Sequence, residues 1–585
     1  MEIPVKLGFI YGNSGQNGNS GQFSSRLSRL RRKSSLLTNR IANHSTLGFW
    51  LLAIVLVGYV AACTGFRDNY PDADAWEHLR VLKALTQNLW TPGNPTYALE
   101  IPSVRYSPYF VGLALLCRLT HIDPYSALSI AAVFNTILFI LGLRLFLSSF
   151  GEAASGSAAL FVAISLYGSP PGYANSYALS DLPWLAVNPS AFSLPIVLIS
   201  WSLFHSLSMR GRGRVKWTVI VLLLACALLD HAMTGAFGLM GLFVLASTGD
   251  QHARWRMMIC AALVAALAMV IAFAWPWFSF LAALQFHGDK DYWFQPFIVV
   301  LMLTSWCAPA AIFGLFLLPL RARPLIRTCL FGGSLSLVIG VVALFIHSPT
   351  LARFPLAGII YFQLAIGVFV HDSEILSPSR WPTLIRQLLS SDSLEEYRAI
   401  LQTTVAIFLV YFLIPQLALV AKSPYLARKY VAKIAGRREN VEYPRQVMGE
   451  LLAPIGPRDV VLSDDVTSWQ IPATRGRVVA ALHFELFVPD QVRRMAGLKS
   501  FFASASEGER DTIIRRYGVA WIVLNRKRLG TAEFESLLRK SAVVNVSADG
   551  NLVLMRADSW LKAGSSSALP MGDSEIRGTR ARGAR

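Results

Sequence analysis

The sequence predicts a polytopic α-helical membrane protein that ends in a small α/β domain. Apolar residues make up 54% of the 585 residues, and charged residues only 15%. Apolar runs that reach or approach the roughly 20 residues of a spanning helix fill most of residues 47–421. From about residue 441 the composition changes to that of a soluble domain, with short β-branched runs between turn residues.

The apolar runs predict about eleven membrane spans. Two of them, residues 155–169 and 217–230, are short for a span. The run at residues 355–370 is also compatible with a helix that lies in the membrane interface, which would reverse the orientation of everything after it. The predicted spans are residues 47–65, 124–147, 155–169, 191–208, 217–230, 232–248, 257–279, 297–319, 329–346, 355–370 and 401–421.

Positive charge in the short loops sets the predicted orientation. Basic residues cluster at residues 210–216, 254–256 and 321–327. All three clusters fall on the cytoplasmic side if residues 108–120 lie flat in the outer interface instead of spanning. The N-terminus is then cytoplasmic, and the C-terminal domain is extracytoplasmic. The basic stretch that follows the last span opposes this assignment for the C-terminal domain.

The polar segments complete the predicted organisation of an inner (plasma) membrane protein. Residues 1–46 are rich in Gly, Ser, Asn and Arg, which predicts a disordered cytoplasmic tail and a retained first span instead of a cleaved signal. Residues 422–440 form a basic linker, and residues 563–585 form a second disordered tail. The net charge of +19 lies mainly in loops and tails, which excludes nucleic-acid binding as its explanation.

Residues 441–562 are predicted to form the small α/β domain. The predicted strands are residues 459–463, 477–481, 517–525, 542–546 and 551–555, and the last two flank the hairpin signal Asp549-Gly550. Residues 501–517 and 531–540 are predicted to be helical. The segment has no metal-ligand spacing, phosphate loop or nucleophile elbow, so we expect a docking or lid domain without chemistry of its own.

The first predicted outer loop, residues 66–123, opens with an acidic motif. The motif reads Pro71-Asp-Ala-Asp-Ala-Trp-Glu-His-Leu79 and follows the first span directly. Carboxylates at the bilayer edge are costly, which favours a functional role for Asp72 and Asp74. The alternative is that these residues only cap the helix that begins near Ala75.

The layout and motifs resemble the GT-C superfold of lipid-linked-sugar glycosyltransferases. Asp74-Ala-Trp-Glu-His78 is similar to the opening motif of oligosaccharyltransferase catalytic subunits and protein O-mannosyltransferases. The run from Tyr106 to Leu116 and the segment Asp123-Pro-Tyr-Ser-Ala-Leu resemble the lipid A aminoarabinose transferase, in which a short flat helix precedes the second span. The specific part of the resemblance covers residues 68–120, and it identifies no subfamily.

The resemblance implies an enzyme that moves a sugar from a polyprenyl-phosphate-linked donor to an acceptor at the outer face, usually with inversion. It assigns the general base to a first-loop carboxylate, and we place Asp74 first and Asp72 second. The acceptor can be a glycan, a lipid or a protein, and no obligate protein partner is implied. Mg²⁺ or Mn²⁺ could bind both carboxylates, but two carboxylates alone make a poor metal site, so no cofactor is assigned.

Cationic and histidine side chains on the predicted outer side are candidates to meet the donor phosphate or the acceptor. Interfacial snorkelling is the alternative for each cation. His78 lies one turn after Asp74 and could orient it, bind acceptor or pack in the interface. His231 could contact substrate or form a helix-turn cap with Asp230. Trp275-Pro-Trp277 predicts an aromatic belt or a sugar-stacking surface. The candidate cations are Arg67, Arg105, Lys290 and Arg353.

Three other function classes remain open from the sequence. A lipid-linked-sugar flippase or transporter would carry ionisable residues within its spans and an internal repeat, and this sequence has few of the former and no visible repeat. An O-antigen-type polymerase or ligase would place its large loop late in the membrane region, whereas the acidic loop here comes first. A non-catalytic envelope assembly protein or sensor would need neither carboxylate.

Overall fold

The computed structural model describes most of the chain, including its side chains. The predicted tails and the basic linker lie almost entirely outside the described residues. The described residues are 46–64, 73–167, 177–210, 213–285, 307–317, 323–348, 351–372, 394–422, 444–481, 485–488, 490–503 and 506–565.

Six helices in the described residues are long and apolar enough to cross a membrane. Their outward faces carry large exposed apolar side chains, such as Leu51 and Ile54 in the first helix and Leu263 and Leu267 in a later one. Such surfaces suit lipid and are not typical of a soluble protein. The six are α1 (Thr46–Thr64), α4 (Pro124–Ser149), α7 (Pro189–Arg210), α10 (Arg254–Phe273), α13 (Pro324–Phe345) and α14 (Phe354–Asp372).

Shorter helices fill the rest of the membrane region. The predicted number of eleven spans stays a prediction, because several of these helices are shorter than a span. They are α2 (Ala73–Gln87), α3 (Pro108–Thr120), α5 (Gly156–Ser165), α6 (Leu182–Leu185), α8 (Arg214–Asp230), α9 (Ala232–Thr248), α11 (Phe280–Gln285) and α12 (Ala308–Phe316). Helix α15 (Leu394–Lys422) is longer, with 29 residues, but its apolar part covers only Thr403–Ala418.

Helix α14 lies at the centre of the helical bundle. Every residue from Phe354 to Val370 is buried, whereas a helix on the membrane interface would keep one face exposed. Glycines allow the close packing, because a Cβ on Gly367 would stand 2.3 Å from the Cα of Ala159 in α5. The Tyr361 ring of α14 stacks on Trp201 of α7 at 4.9 Å between ring centroids. The interfacial alternative for residues 355–370 is therefore disfavoured.

The C-terminal domain is built on a five-stranded mixed sheet with the strand order β2-β1-β3-β5-β4. Strand β1 pairs in parallel with β2 and β3, while β5 runs antiparallel to β3 and β4. The strands are β1 (Val460–Leu462), β2 (Arg477–Val478), β3 (Val519–Asn525), β4 (Val543–Val546) and β5 (Leu552–Arg556). The helices are α16 (Pro444–Leu451), α17 (Thr467–Thr474), α18 (Gln491–Ala503), α19 (Glu507–Tyr517), α20 (Thr531–Leu538) and α21 (Ala557–Ser565).

Two details of the C-terminal prediction are wrong, and one is confirmed. The helix expected over residues 501–517 is divided, because Ser506 and Glu509 form a reciprocal capping box that starts α19. The second strand is shorter than expected and ends at Val478. The hairpin between β4 and β5 is present, and Gly550 takes a φ of +68° in its turn.

Candidate active site

The acidic motif lies at the start of α2, which begins at Ala73. Asp74 is in the first turn of the helix and is half-buried. A carboxylate in this position interacts favourably with the partial positive charge of the helix N-terminus. Asp74 is also close enough to interact electrostatically with His78, one turn later, and with Arg105. Asp72 lies outside the described residues.

His78 is a buried and neutral imidazole. Its Nε2 atom lies 3.0 Å from Oδ1 of Asn188, and its ring packs on Phe110. Burial lowers the pKa of His78 to about 4; the nearby Arg105 acts in the same direction, and Asp74 and Glu77 oppose it. The structure thus shows packing together with a hydrogen bond to Asn188, and a role towards Asp74 or an acceptor stays a prediction.

The segment directly before α7 is held so that Asn188 faces His78. Asn135 of α4 donates from Nδ2 to the carbonyl of Ala186 at 2.8 Å. The Tyr109 hydroxyl of α3 donates to the carbonyl of Val187 at 3.0 Å. Backbone groups on both residues before Asn188 are therefore fixed by buried side chains of two different helices, which positions the amide of Asn188.

Arg105 and Arg353 supply positive charge to the same region. The Arg105 guanidinium pairs with the buried carboxylate of Glu77 and keeps 29% of its side chain exposed. Burial alone would lower the pKa of Arg105, but the carboxylates of Glu77, Glu485 and Asp74 raise it, so the group is always charged. Arg353 ends the short 3-10 turn before α14 and is half-buried. Arg67 and Lys290 lie outside the described residues.

His231 joins this neighbourhood from the turn between α8 and α9. Burial lowers the pKa of His231 to about 4, and the positive charge of Arg353, or of His78 when it is protonated, acts in the same direction, so the three side chains interact electrostatically. His231 caps α9, since its Nδ1 lies 2.7 Å from the Thr234 hydroxyl and accepts from the Thr234 amide.

The expected pairing of His231 with Asp230 in a single cap is wrong. Asp230 instead accepts a hydrogen bond from the backbone N–H of Tyr109 at 2.8 Å, at the start of α3. Its carboxylate therefore satisfies one of the free amides of that helix N-terminus. The two neighbours cap different helices because α8 ends at Asp230 and the chain turns at His231.

The two tryptophans after α10 hold the first loop. Trp275 donates from Nε1 to the carbonyl of Tyr106 at 2.8 Å, and Trp277 donates to the carbonyl of Leu89 at 2.7 Å. The exposed ring of Trp90 stacks on Trp277 with 5.5 Å between centroids. Both indole N–H groups thus point into the protein, whereas those of a simple aromatic belt face the lipid head groups.

Sequence reasoning missed a buried ionic cluster behind Arg105, which we call the ion quartet: Glu77, Arg80, Arg105 and Glu485. Arg80 Nη2 lies 3.2 Å from Oε1 of Glu77 and 3.3 Å from Oε1 of Glu485. The three-residue spacing of Glu77 and Arg80 on α2 is a signal for their contact. Glu485 lies 405 residues beyond Arg80, and no local pattern points to it.

The described residues contain no group of three or more His, Cys, Asp and Glu side chains that could hold a metal ion. Asp74 is the described member of the carboxylate pair considered for Mg²⁺ or Mn²⁺. A single carboxylate does not supply the oxygen ligands that these hard cations require. No step is assigned to a metal.

No family model and no curated protein sequence matches this chain. Among solved structures, the mycobacterial arabinofuranosyltransferase AftD matches 87% of this chain and 41% of its own chain, with 15% identity and a TM-score of 0.50. ArnT from Cupriavidus metallidurans bound to undecaprenyl phosphate matches over 87% and 97%, with 13% identity and a TM-score of 0.47. The Archaeoglobus fulgidus oligosaccharyltransferase matches over 86% and 74%, with 11% identity and a TM-score of 0.47.

The likeness to AftD concerns the fold alone, because a shared fold at 15% identity does not imply a shared function. The chain spans less than half of the length of AftD. The comparison therefore shows that this chain shares the fold of the matched part of AftD, and it resolves no family or subfamily.

Proposed function

We propose that this protein is an integral membrane glycosyltransferase that moves a sugar from a polyprenyl-phosphate-linked donor to an acceptor at the extracytoplasmic face. The observation that carries the proposal is the grouping of Asp74, two arginines and two neutral histidines in one neighbourhood of a GT-C fold. A partly exposed carboxylate beside cations suits the removal of a proton next to a bound phosphate.

Each side chain has a role that its environment supports. Asp74 accepts the proton of the acceptor hydroxyl or amide as that atom bonds to the anomeric carbon. The bond from the anomeric carbon to the phosphate oxygen breaks on the opposite side, which inverts the configuration. Arg105 and Arg353 stabilise the negative charge on the departing lipid phosphate. His78, with a pKa of about 4, is neutral at pH 7 and therefore adds no positive charge beside the phosphate.

The membrane orientation belongs to the same proposal. The positive-inside distribution of loop arginines favours a cytoplasmic N-terminus and an extracytoplasmic acidic loop and C-terminal domain. The protein then lies in the inner (plasma) membrane and meets the donor from the bilayer. The acceptor can be a glycan, a lipid or a protein, and the sugar is not specified by the side chains described.

Mass spectrometry of envelope glycolipids and glycans tests the proposal in a deletion strain complemented with variants. We expect Asp74→Asn to lower sugar transfer by about 10²- to 10⁴-fold, because it removes the base with little change in shape. Asp558→Asn is the matched control, since this exposed carboxylate lies in the C-terminal domain. Asp72→Asn, made in parallel, tests the second candidate base.

The amount of folded variant in membranes separates lost chemistry from lost protein. A glycan profile that stays unchanged in Asp74→Asn and Asp72→Asn at normal protein levels would favour a transporter or a non-catalytic assembly protein. A deletion strain with an unaltered profile would contradict the glycosyltransferase assignment altogether.

A further inference from the structure

The C-terminal domain packs directly on the helix that carries Asp74. Trp469 of α17 donates from Nε1 to Oε1 of Glu77 at 3.3 Å. The ammonium group of Lys83 donates to the carbonyls of Ala473 and Thr474, at the C-terminal end of α17. A cation there complements the negative end of the helix dipole. The domain is therefore anchored to α2 at two points, one on each side of Arg80.

A main-chain contact extends this anchoring to the first outer loop. The amide of Val478 in β2 donates to the carbonyl of Thr96 at 2.9 Å. The first loop thus continues the edge of the domain's sheet at one hydrogen bond. The loop between α2 and α3, which carries Arg105, is held by the domain as well as by its own helices.

Three members of the ion quartet are inaccessible to any substrate. Glu77, Arg80 and Glu485 are each exposed to 2% or less, whereas Arg105 keeps 29% of its side chain exposed. The quartet carries two positive and two negative charges, so it is neutral as a whole. Its buried members can act on a ligand only through Arg105.

Glu485 reaches Arg105 by two routes. Along the side chains, Glu485 contacts Arg80, Arg80 contacts Glu77, and Glu77 pairs with the guanidinium of Arg105. Along the backbone, Ser103 donates from its hydroxyl to Oε2 of Glu485 at 2.8 Å, and the same hydroxyl accepts from the amide of Arg105 at 3.3 Å.

Both ends of Arg105 are therefore positioned by one carboxylate of the C-terminal domain. Thr96 adds a hydrogen bond to Oε1 of Glu485 at 3.1 Å, which ties the opposite side of the loop to the same group. Hydrogen bonds to a charged acceptor in a buried setting are strong and directional, so the loop has one preferred geometry while Glu485 is in place.

We propose that Glu485 is a positioning residue for phosphate binding, and that the C-terminal domain sets the affinity of the site for the lipid-linked donor through it. This inference rests on the proposed function, because it assigns Arg105 to the donor phosphate. It extends the expectation of a docking or lid domain without chemistry of its own. The domain supplies no reacting group, yet it determines where the phosphate-binding cation stands.

Binding of undecaprenyl phosphate to the purified full-length protein in detergent tests this inference. We expect Glu485→Gln to weaken binding by about tenfold to a hundredfold, because a misplaced positioning group can cost up to about a hundredfold. Gln keeps the shape and an oxygen for Thr96 or Ser103 but lacks the charge that orders Arg80. Glu535→Gln is the matched control, because its ion pair with Arg526 has the same 3.2 Å separation as that of Glu77 with Arg80, at the surface.

A double-mutant cycle separates positioning from general destabilisation. If Glu485 acts through Arg105, Glu485→Gln has no further effect on binding once Arg105→Gln is present. Equal effects of Glu485→Gln in both backgrounds would overturn the inference, as would unchanged binding in the single variant. Should Glu485→Gln fail to fold, Ser103→Ala breaks the backbone route without changing the charge of the ion quartet, and the same cycle applies.

Lipid binding by the wild-type protein distinguishes failure of this inference from failure of the proposed function. If the wild-type protein binds undecaprenyl phosphate and Glu485→Gln binds equally well, the inference fails while the proposed function stands. If the wild-type protein does not bind this lipid, both the donor class and the inference are overturned. Binding that falls in Glu485→Gln and Arg105→Gln alike, and no further in the double variant, supports both.

Discussion

Replacement of Glu77 by Gln is the sharpest stability test of the ion quartet. The carboxylate of Glu77 is fully buried. It forms ion pairs with Arg80 and Arg105 and accepts a hydrogen bond from the indole N–H of Trp469. Unlike charges 3.2 Å apart attract by about 5 kcal/mol at an effective dielectric constant of about 20. In Glu77→Gln the quartet would keep two arginines and only one carboxylate, so its net charge would change from zero to +1.

The expected cost is smaller than the sum of the lost attractions, because desolvation opposes every buried ion pair. Breaking a buried pair by removing one partner typically destabilises a protein by about 3–5 kcal/mol. The exposed pair of Glu535 with Arg526, at the same separation, should be worth less than about 1 kcal/mol. We therefore expect Glu77→Gln to be clearly less stable than Glu535→Gln.

Thermal unfolding of both variants in one detergent, followed by tryptophan fluorescence, measures the difference. We expect the midpoint for Glu77→Gln to fall several degrees below that for Glu535→Gln. Midpoints that agree within error would show that the quartet does not stabilise the fold, and the reasoning about buried charge would be refuted.

Two further predictions concern His78 and the glycines of the bundle. A pKa lowered to about 4 means that protonation of His78 favours the unfolded chain, so its contribution is present above pH 6.5 and is lost as the pH falls towards 4. Between pH 7 and pH 4.5 the wild type should lose up to about 3 kcal/mol more than His78→Gln, and equal losses in unfolding assays would contradict this. Gly367→Ala should destabilise by about 1–3 kcal/mol or more, since its Cβ would meet the backbone of Ala159 at 2.3 Å. Gly58→Ala, with nothing within 4 Å, is the control; an equal thermal shift in both would contradict the packing argument.

Much of the candidate site was within reach of the sequence because membrane topology restricts where polar groups meet. The orientation from loop arginines placed Asp74, His78, Arg105, His231 and Arg353 on one side of the bilayer, and the structure brings them into one neighbourhood. The helix start at the acidic motif followed from local capping preferences, and the observed α2 begins at Ala73.

Contacts between distant segments could not be predicted in this way. Glu485 follows a short apolar run with no distinctive spacing, and Asn188 stands before a proline at the start of α7. Each residue forms its hydrogen bond with a partner on α2 that is more than 100 residues away in the sequence. A periodic pattern reports the face of one helix, and it carries no information on which other segment will cover that face.

The separation of 405 positions between Arg80 and Glu485 also bears on biogenesis. During synthesis α2 emerges long before its carboxylate partner from the C-terminal domain, so Arg80 pairs with Glu77 alone until residue 485 has been synthesised. The membrane bundle can assemble in that interval, but the loop that carries Arg105 gains its last anchor only when residue 485 arrives. We therefore expect a chain that ends before residue 485 to hold the backbone around Arg105 less firmly than the full chain does.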